Sequence, residues 1–500
     1  MKKLLLTEGL IACFFLMLLL GILWQAIGRE RRTQKTSTLP KREEHTIRIY
    51  PGILGEEFSP LCMQKQAEEQ VVKLCFSNLL EKDQDGKVCN ASVSKVWKKG
   101  TDETAHISSL YDKDTKVTRI TIQLNPKLKT AKGTRLSADD LLFNYYLRLD
   151  SSSGAKGFFD GVHILGQDEY TYGTDDIEKR QKELKKMLQK PSDELKKQLQ
   201  EKIVRKELLS EWQWAKGLYQ DEAYDFISSR YREPKDLFAY YYAYQTKYSS
   251  KGKSEKQVIE DIVKQYAWHT KRLEKITNKS YDRQAERLAL ANLLSKKGKD
   301  TVSVVSGIKK KDAHTVEICV KGENVSVEKV CDLYLLPLEE YGDKALFDGK
   351  RSFGFQKGTA DGILKKAQQS FCGSGAFTAA HIGKNRIVCT KNRFHAGKKA
   401  YLDKIIILRK DGMDAGMAVR EMLKKRIDIA ILPDGKELER LRNNRATTAS
   451  YQIRKKNIST TQRENCLIYR TSYVNAPSIP KKLTESHTVF DEICQLKVNP

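Results

Sequence analysis

Gly133-Thr134-Arg135-Leu136-Ser137-Ala138-Asp139-Asp140 stands between two different apolar periods. Before it, Ile120, Ile122 and Leu124 alternate with polar residues, the period of a half-buried strand. After it, Leu141, Phe143 and Leu147 recur on a helical period. Ser137 is placed to cap that helix, and Asp140 takes the reciprocal position of a capping box. Asp139 and Asp140 also meet the positive end of the helix dipole. Acids in this position ordinarily serve the helix start; a catalytic role for the pair is the other reading.

The same alternation returns beyond residue 300. Val316, Ile318 and Val320 form one strand pattern, and Ile405 and Ile407 another. Between them Gly373-Ser374-Gly375 makes a flexible joint. A helical stretch with Met417, Val419, Met422 and Leu423 then leads into Ile427-Asp428-Ile429. Strands alternating with helices predict an α/β body. The block from about 165 to 300 differs, being rich in Lys, Glu and Gln. Ile177, Leu184, Leu188, Leu195, Leu199 and Ile203 lie at helical spacing, with Pro191 breaking or kinking the run. This predicts a helical insertion over 155–300 with a narrow apolar stripe. In it Leu237, Tyr241, Tyr244 and Tyr248 fall on one helical face, flanked by Phe238, Tyr240 and Tyr242. Such a face makes a helix–helix contact or stacks on bases or sugars.

Composition limits the function classes. The chain has 500 residues, 40% of them apolar and 31% charged, and a formal charge of +26. That charge favours anionic neighbours. Lys and Glu are mixed along the chain and no recognition motif stands out, so no specific nucleic-acid partner is expected. The ten cysteines include no CxxC pair, and no two histidines share a metal-ligand spacing. Walker, nucleophile-elbow and HExxH motifs do not occur. We therefore expect no catalytic residues, no metal and no cofactor, and not an enzyme.

Lys2 and Lys3 precede an uncharged run, Leu10 to Ile27, at the short end of a bilayer span. No small-x-small cleavage site follows. Residues 1–28 are read as a single N-terminal transmembrane anchor or signal segment, and 29–46 as a basic stalk.

Several segments, taken in order, resemble extracellular solute-binding protein family 5, the peptide/nickel-type binding proteins of ABC importers. They are Phe58-Ser59-Pro60-Leu61, then Leu74 to Leu80, then Asp83 to Val88 with Trp97 after it. Gly133 to Asp140 follows, with Leu142, Phe143 and Tyr145 in the helix behind it. Asp312 to Val320, Gly373 to Phe377, Asn392-Arg393-Phe394, Tyr401 to Ile405 and Lys425 to Ile429 complete the order. Ala376 stands where the family has proline, Phe377 where it has tyrosine, and Arg426 where glycine is common. The resemblance spans roughly residues 50–150 and 301–435 and leaves out the insertion. It implies a two-lobed periplasmic-binding-protein-like (type II) fold. The first lobe would be 47–154 with 301–372, and the second 373–500, incomplete at its C-terminal end. It implies an extracytoplasmic body that traps a peptide or other small solute between lobes and serves permease and ATPase subunits. Ligand contacts would come from Glu57, Phe58 and Ser59 in the opening turn and from Gly373, Ser374, Gly375 and Phe377 in the crossing. The alternative is an envelope-anchored interaction protein whose binding-protein fold is vestigial.

Overall fold

A computed structural model describes residues 45–470, apart from 53, 56–57, 64, 82–86, 92–103, 151, 153–158, 160, 221–224, 246, 297, 299, 398–399, 410–414, 425, 434–435, 444–450 and 456–464. The anchor, the stalk up to residue 44, Glu57, Asp83 to Gly86, Trp97 and residues 471–500 of the expected second lobe lie outside the described residues; Thr46, read as the end of the stalk, already belongs to a strand because its backbone joins the sheet that follows. Among the described residues, no helix is long and apolar enough to cross a membrane.

Two sheets carry the α/β part. Strand β1 (Thr46–Tyr50) belongs to a seven-stranded sheet with β6 (Phe377–Thr378), β7 (Arg386–Lys391), β8 (Lys404–Leu408), β9 (Ile429–Pro433), β10 (Tyr451–Lys455) and β11 (Asn465–Arg470). The strand order is β10-β11-β9-β1-β8-β7-β6, which places the first strand in the middle. It runs parallel to β9, with Ile49 opposite Ile429. Asp428, fully buried, fixes this join: its Oδ2 accepts the Arg48 N–H at 2.9 Å, and its own N–H reaches the Arg48 carbonyl at 2.9 Å. The sequence grouped residues 47–50 with the segment that follows them. Their hydrogen bonds instead run to the sheet of residues 377–470, because a parallel partner has to come from a distant crossover rather than a hairpin.

Strands β2 (Ala105–Asp112), β3 (Val117–Leu124), β4 (Ile308–Lys310) and β5 (Thr315–Lys321) form an antiparallel sheet in the order β2-β3-β5-β4. The alternating residues read from the sequence face one another: Ile120 opposes Ile318, and Ile122 opposes Val316. All four are fully buried, one layer of the core. Helix Ala138–Leu149 packs on β4 and β5 and is buried along almost its whole length. Its start is the predicted capping box. Ser137 Oγ accepts the Asp139 N–H at 3.2 Å, and Asp140 Oδ2 accepts the Ser137 N–H at 2.7 Å. Asp140 Oδ1 also accepts the Leu338 N–H at 2.8 Å, tying the helix to the segment beyond it. Burial raises the Asp140 carboxyl above the usual range, while these backbone donors pull it back down. Asp139 pairs with Lys310 at 2.6 Å. Both acids are thus engaged in structure.

One apolar core runs through both sheets, from Ile47 and Ile49 to Ile120, Phe143, Ile318, Phe371 and Ile407. The helices between Ile177 and Leu294 bury a second core of their own, including Leu184, Leu195, Leu208, Phe238, Ile262 and Leu290. Pro191 acts as the sequence predicts: helix Ile177–Gln189 stops, and Asp193–Leu199 starts from a Ser192 cap. The tyrosine face needs correction. Helix Pro234–Tyr242 ends before Tyr244, so Tyr244 and Tyr248 do not continue its face. It buries Leu237, Phe238 and Tyr242 and leaves Tyr240 and Tyr241 exposed. Phe238 is the more apolar side chain and takes the core position, edge-on to Trp212 at 5.4 Å.

Gly217 lies exposed inside helix Lys206–Gln220, and a Cβ there would meet nothing within 4 Å. Glycine inside a helix costs about 0.5–1 kcal/mol against alanine. Gly217→Ala should therefore raise the urea unfolding free energy of the helical block by about that amount; an unchanged or lowered value would show that the helix is not formed there in solution.

Candidate functional site

The crossing from Phe371 to Ala379 joins helix Ala360–Gln369 to the seven-stranded sheet. Its two ends are held as a pair: Phe371 and Ala379 exchange backbone hydrogen bonds at 2.7 and 2.8 Å. Phe377, fully buried, then opens β6 opposite Lys391.

Between these ends the backbone lies against the end of helix Gln66–Cys75. The Gly375 N–H donates to the Cys75 carbonyl at 3.0 Å. A Cβ on Gly375 would stand 2.5 Å from the Leu74 oxygen and 2.7 Å from the Phe76 nitrogen. A Cβ on Gly373 would run into the Cys75 oxygen and the Phe76 ring. Close approach, not a left-handed backbone, is what calls for glycine at both positions.

Three further groups fix the crossing. Ser374 Oγ, on a fully buried side chain, bonds to Ser77 Oγ at 2.9 Å. Asn392 Nδ2 donates to the Gly375 carbonyl at 2.8 Å, and the Asn392 N–H to the Ala376 carbonyl at 2.8 Å. The Ala131 N–H reaches the Gly373 carbonyl at 3.3 Å. The joint is therefore gripped by a helix end, a turn and the loop after β7.

The opening turn comes to the same place. Phe58 meets Phe371 edge-on at 5.3 Å, Phe371 meets Phe76 at 5.7 Å, and Phe76 meets Tyr341 at 6.1 Å. Ser59 closes its own turn through paired bonds with Cys62 at 2.9 and 3.1 Å. Tyr341 Oη donates to the Ser370 carbonyl at 2.8 Å and accepts the Cys372 N–H at 2.9 Å. Burial pushes the Tyr341 hydroxyl and the Cys372 thiol above their ordinary values, so both stay protonated at neutral pH.

Of the candidate residues, the structure brings Phe58, Ser59, Gly373, Ser374, Gly375 and Phe377 into one buried junction. The side chains of Phe58, Ser59, Ser374 and Phe377 are spent on the protein itself. Sequence reasoning passed over Phe371, Tyr341 and the bridging role of Asn392. Only Asn392 carried a signal, standing first in Asn392-Arg393-Phe394.

No family model matches the chain, and no curated protein matches it. Among solved structures it is similar to lactococcal OppA complexed with an endogenous peptide in the closed conformation. The TM-score is 0.44 at 11% identity, over 82% of this chain and 49% of that one. It is similar to NikZ from Campylobacter jejuni in complex with Ni(L-His), with TM-score 0.40 at 12% identity over 83% and 48%. For the murein tripeptide binding protein MppA of Escherichia coli the values are 0.37, 12%, 83% and 50%. The chain spans about half the length of each. These solved structures are binding proteins of extracellular solute-binding family 5, the family that the motifs of this chain resemble.

Proposed function

We propose that this chain is the extracytoplasmic solute-binding component of an ABC importer. It takes a peptide, or a related small solute, into a cleft at the junction and hands it to permease and ATPase subunits. Residues 1–28 hold it at the membrane. The observation that carries the reading is the crossing itself: a buried joint with two glycine backbones against a helix end, at the place where the family-like motifs converge. A joint gripped on three sides sets the angle between the parts it connects, and closure around that angle buries a ligand. In this reading Phe58, Ser59, Ser374 and Phe377 position the backbone, and Glu57 meets a ligand amine. Peptide bonds along exposed strand edges would tolerate varied side chains. The activity calls on no general acid, nucleophile, cofactor or metal.

The test is equilibrium binding of a random peptide library to the purified full chain. Selected peptides should raise its thermal midpoint, as any ligand of the native state does. Gly375→Val should reduce peptide affinity more than Glu57→Ala, since the first disturbs the joint and the second removes one contact. A folded chain that retains no peptide would overturn the reading.

A further inference from the structure

A second site candidate lies beside the junction and has a different chemistry. The turn 126–135 and the loop 393–396 face each other across an open groove of about 520 Å³. Its cationic lining is Lys127, Lys129, Arg135 and Arg393, with Phe394 and His395 beside them. No acidic residue lines it.

The turn is rigidly made. The Leu128 N–H donates to the Asn125 carbonyl at 3.0 Å, Thr130 to Thr134 at 2.9 Å, and Leu136 to Leu128 at 3.0 Å. Lys129 and Arg135 are bridged across it. Gly133 has φ +88°, and a Cβ there would lie 3.3 Å from the Phe394 ring, so the glycine lets turn and ring meet. The Lys129 ammonium sits 5.8 Å from that ring's centre.

The four cations have no ion pair with any described residue, and this separates them from their neighbours. Lys132, in the same turn, pairs with Glu340 at 2.6 Å. Lys310 has Asp139, and Lys391 has Asp403. Like charges gathered on a fixed frame repel, and an anion in the groove removes the repulsion. A carboxylate brings one charge; a phosphate group brings about −1.5 to −2 and three acceptor oxygens. Two phosphates therefore balance four cations, and the two guanidiniums suit their planar pairs of oxygens.

We propose that this groove binds an anion carrying two or more phosphate groups, free or displayed on a lipid headgroup. The proposal does not need the peptide reading, since none of the four cations grips the crossing through its side chain, although the neighbouring His395 touches it, with Nδ1 3.0 Å from the Ser374 carbonyl.

The test is titration of the full chain with inorganic tripolyphosphate, and separately with phosphatidylcholine vesicles containing a phosphatidylinositol bisphosphate. Salt is held near 0.15 M, where the Debye length of about 8 Å suppresses the general pull of the basic surface. The pair Arg135→Gln and Arg393→Gln, both exposed, should weaken binding by about tenfold or more, as expected for lost charge-assisted bonds. A charge-matched control, Lys182→Gln with Lys185→Gln, both exposed on helix Ile177–Gln189 of the separate helical core, should change it by less than about twofold, as for charges outside the groove. Unchanged thermal midpoints confirm folding. Groove-dependent binding of tripolyphosphate assigns a soluble source, and groove-dependent binding of vesicles alone a lipid headgroup; both support the site. Equal losses in control and groove variants would overturn it, as would binding to neither probe. Hexaglutamate bound as tightly as tripolyphosphate would overturn the phosphate assignment.

Discussion

Alanine at position 375 is expected to destabilise the protein nearly as much as valine does. The clash begins at the first carbon: the Leu74 oxygen, the Cys75 carbon and the Phe76 nitrogen lie 2.5, 2.6 and 2.7 Å from where Cβ would stand. All three are backbone atoms at a helix end and cannot rotate aside. Either the crossing or the helix end has to move. Overfilling a packed site costs about 1–3 kcal/mol. Movement also lengthens the Gly375 N–H bond to Cys75 and the Asn392 bond to the Gly375 carbonyl, worth about 1 kcal/mol each. The loss should therefore be about 3 kcal/mol or more, a large part of the roughly 5–15 kcal/mol that holds a domain together. Urea unfolding of Gly375→Ala and Gly375→Val measures it. An alanine variant as stable as the parent would show that the crossing can leave the helix end freely.

Asn144→Ala should be comparably damaging for the opposite reason, because it empties a site. Asn144 is fully buried. Its Nδ2 donates to the Asp140 and Leu336 carbonyls at 2.8 and 2.7 Å. Its Oδ1 accepts the Leu336 N–H at 3.0 Å and an Arg148 N–H at 2.9 Å. The side chain thus completes a two-sided strand-like pairing between helix Ala138–Leu149 and residue 336. Arg148 is buried beside it and also donates to the Tyr334 carbonyl at 2.9 Å. Desolvation lowers the Arg148 guanidinium to about 9, so every acceptor it keeps counts. Alanine strands the Leu336 N–H and carbonyl and takes one acceptor from a buried cation. Each stranded group costs about 1–3 kcal/mol, more when charged. The sum points to a loss of about 4 kcal/mol. A urea midpoint within error of the parent would mean that water replaces the amide, which a buried apolar surround does not invite.

The parts of this fold that were legible in the sequence are those whose cause is local. The alternation at Ile120 and Ile318, the Ser137 box and the Pro191 break each depend on neighbours along the chain. The place of β1 was not legible, because its partners are nearly the whole chain away and a short apolar strand does not name its neighbour. The tyrosine face misled because periodicity assumes that a helix continues, and this one ends at Tyr242. For the candidate site, the glycines of the crossing were visible and their physical reason was not. A flexible joint was the expectation; tight backbone contact is what they serve. The phosphate groove was invisible as a unit, since Arg135 and Arg393 are brought together only by the fold.

The central position of β1 also has a consequence in time. Its partner lies 380 residues further along. A ribosome adding about 5–20 residues each second needs roughly 20 to 80 seconds to supply it. Its other neighbour, β8 (Lys404–Leu408), comes only slightly sooner, so for most of that interval the Ile47 and Ile49 strand has no sheet to enter and shows two bare edges. The four-stranded sheet can assemble earlier, and the helices from Ile177 to Leu294 can bury their own core before β1 is paired. An early strand thus waits at the centre of a sheet made almost wholly of late ones, and a nascent chain of this protein depends until then on whatever shields β1.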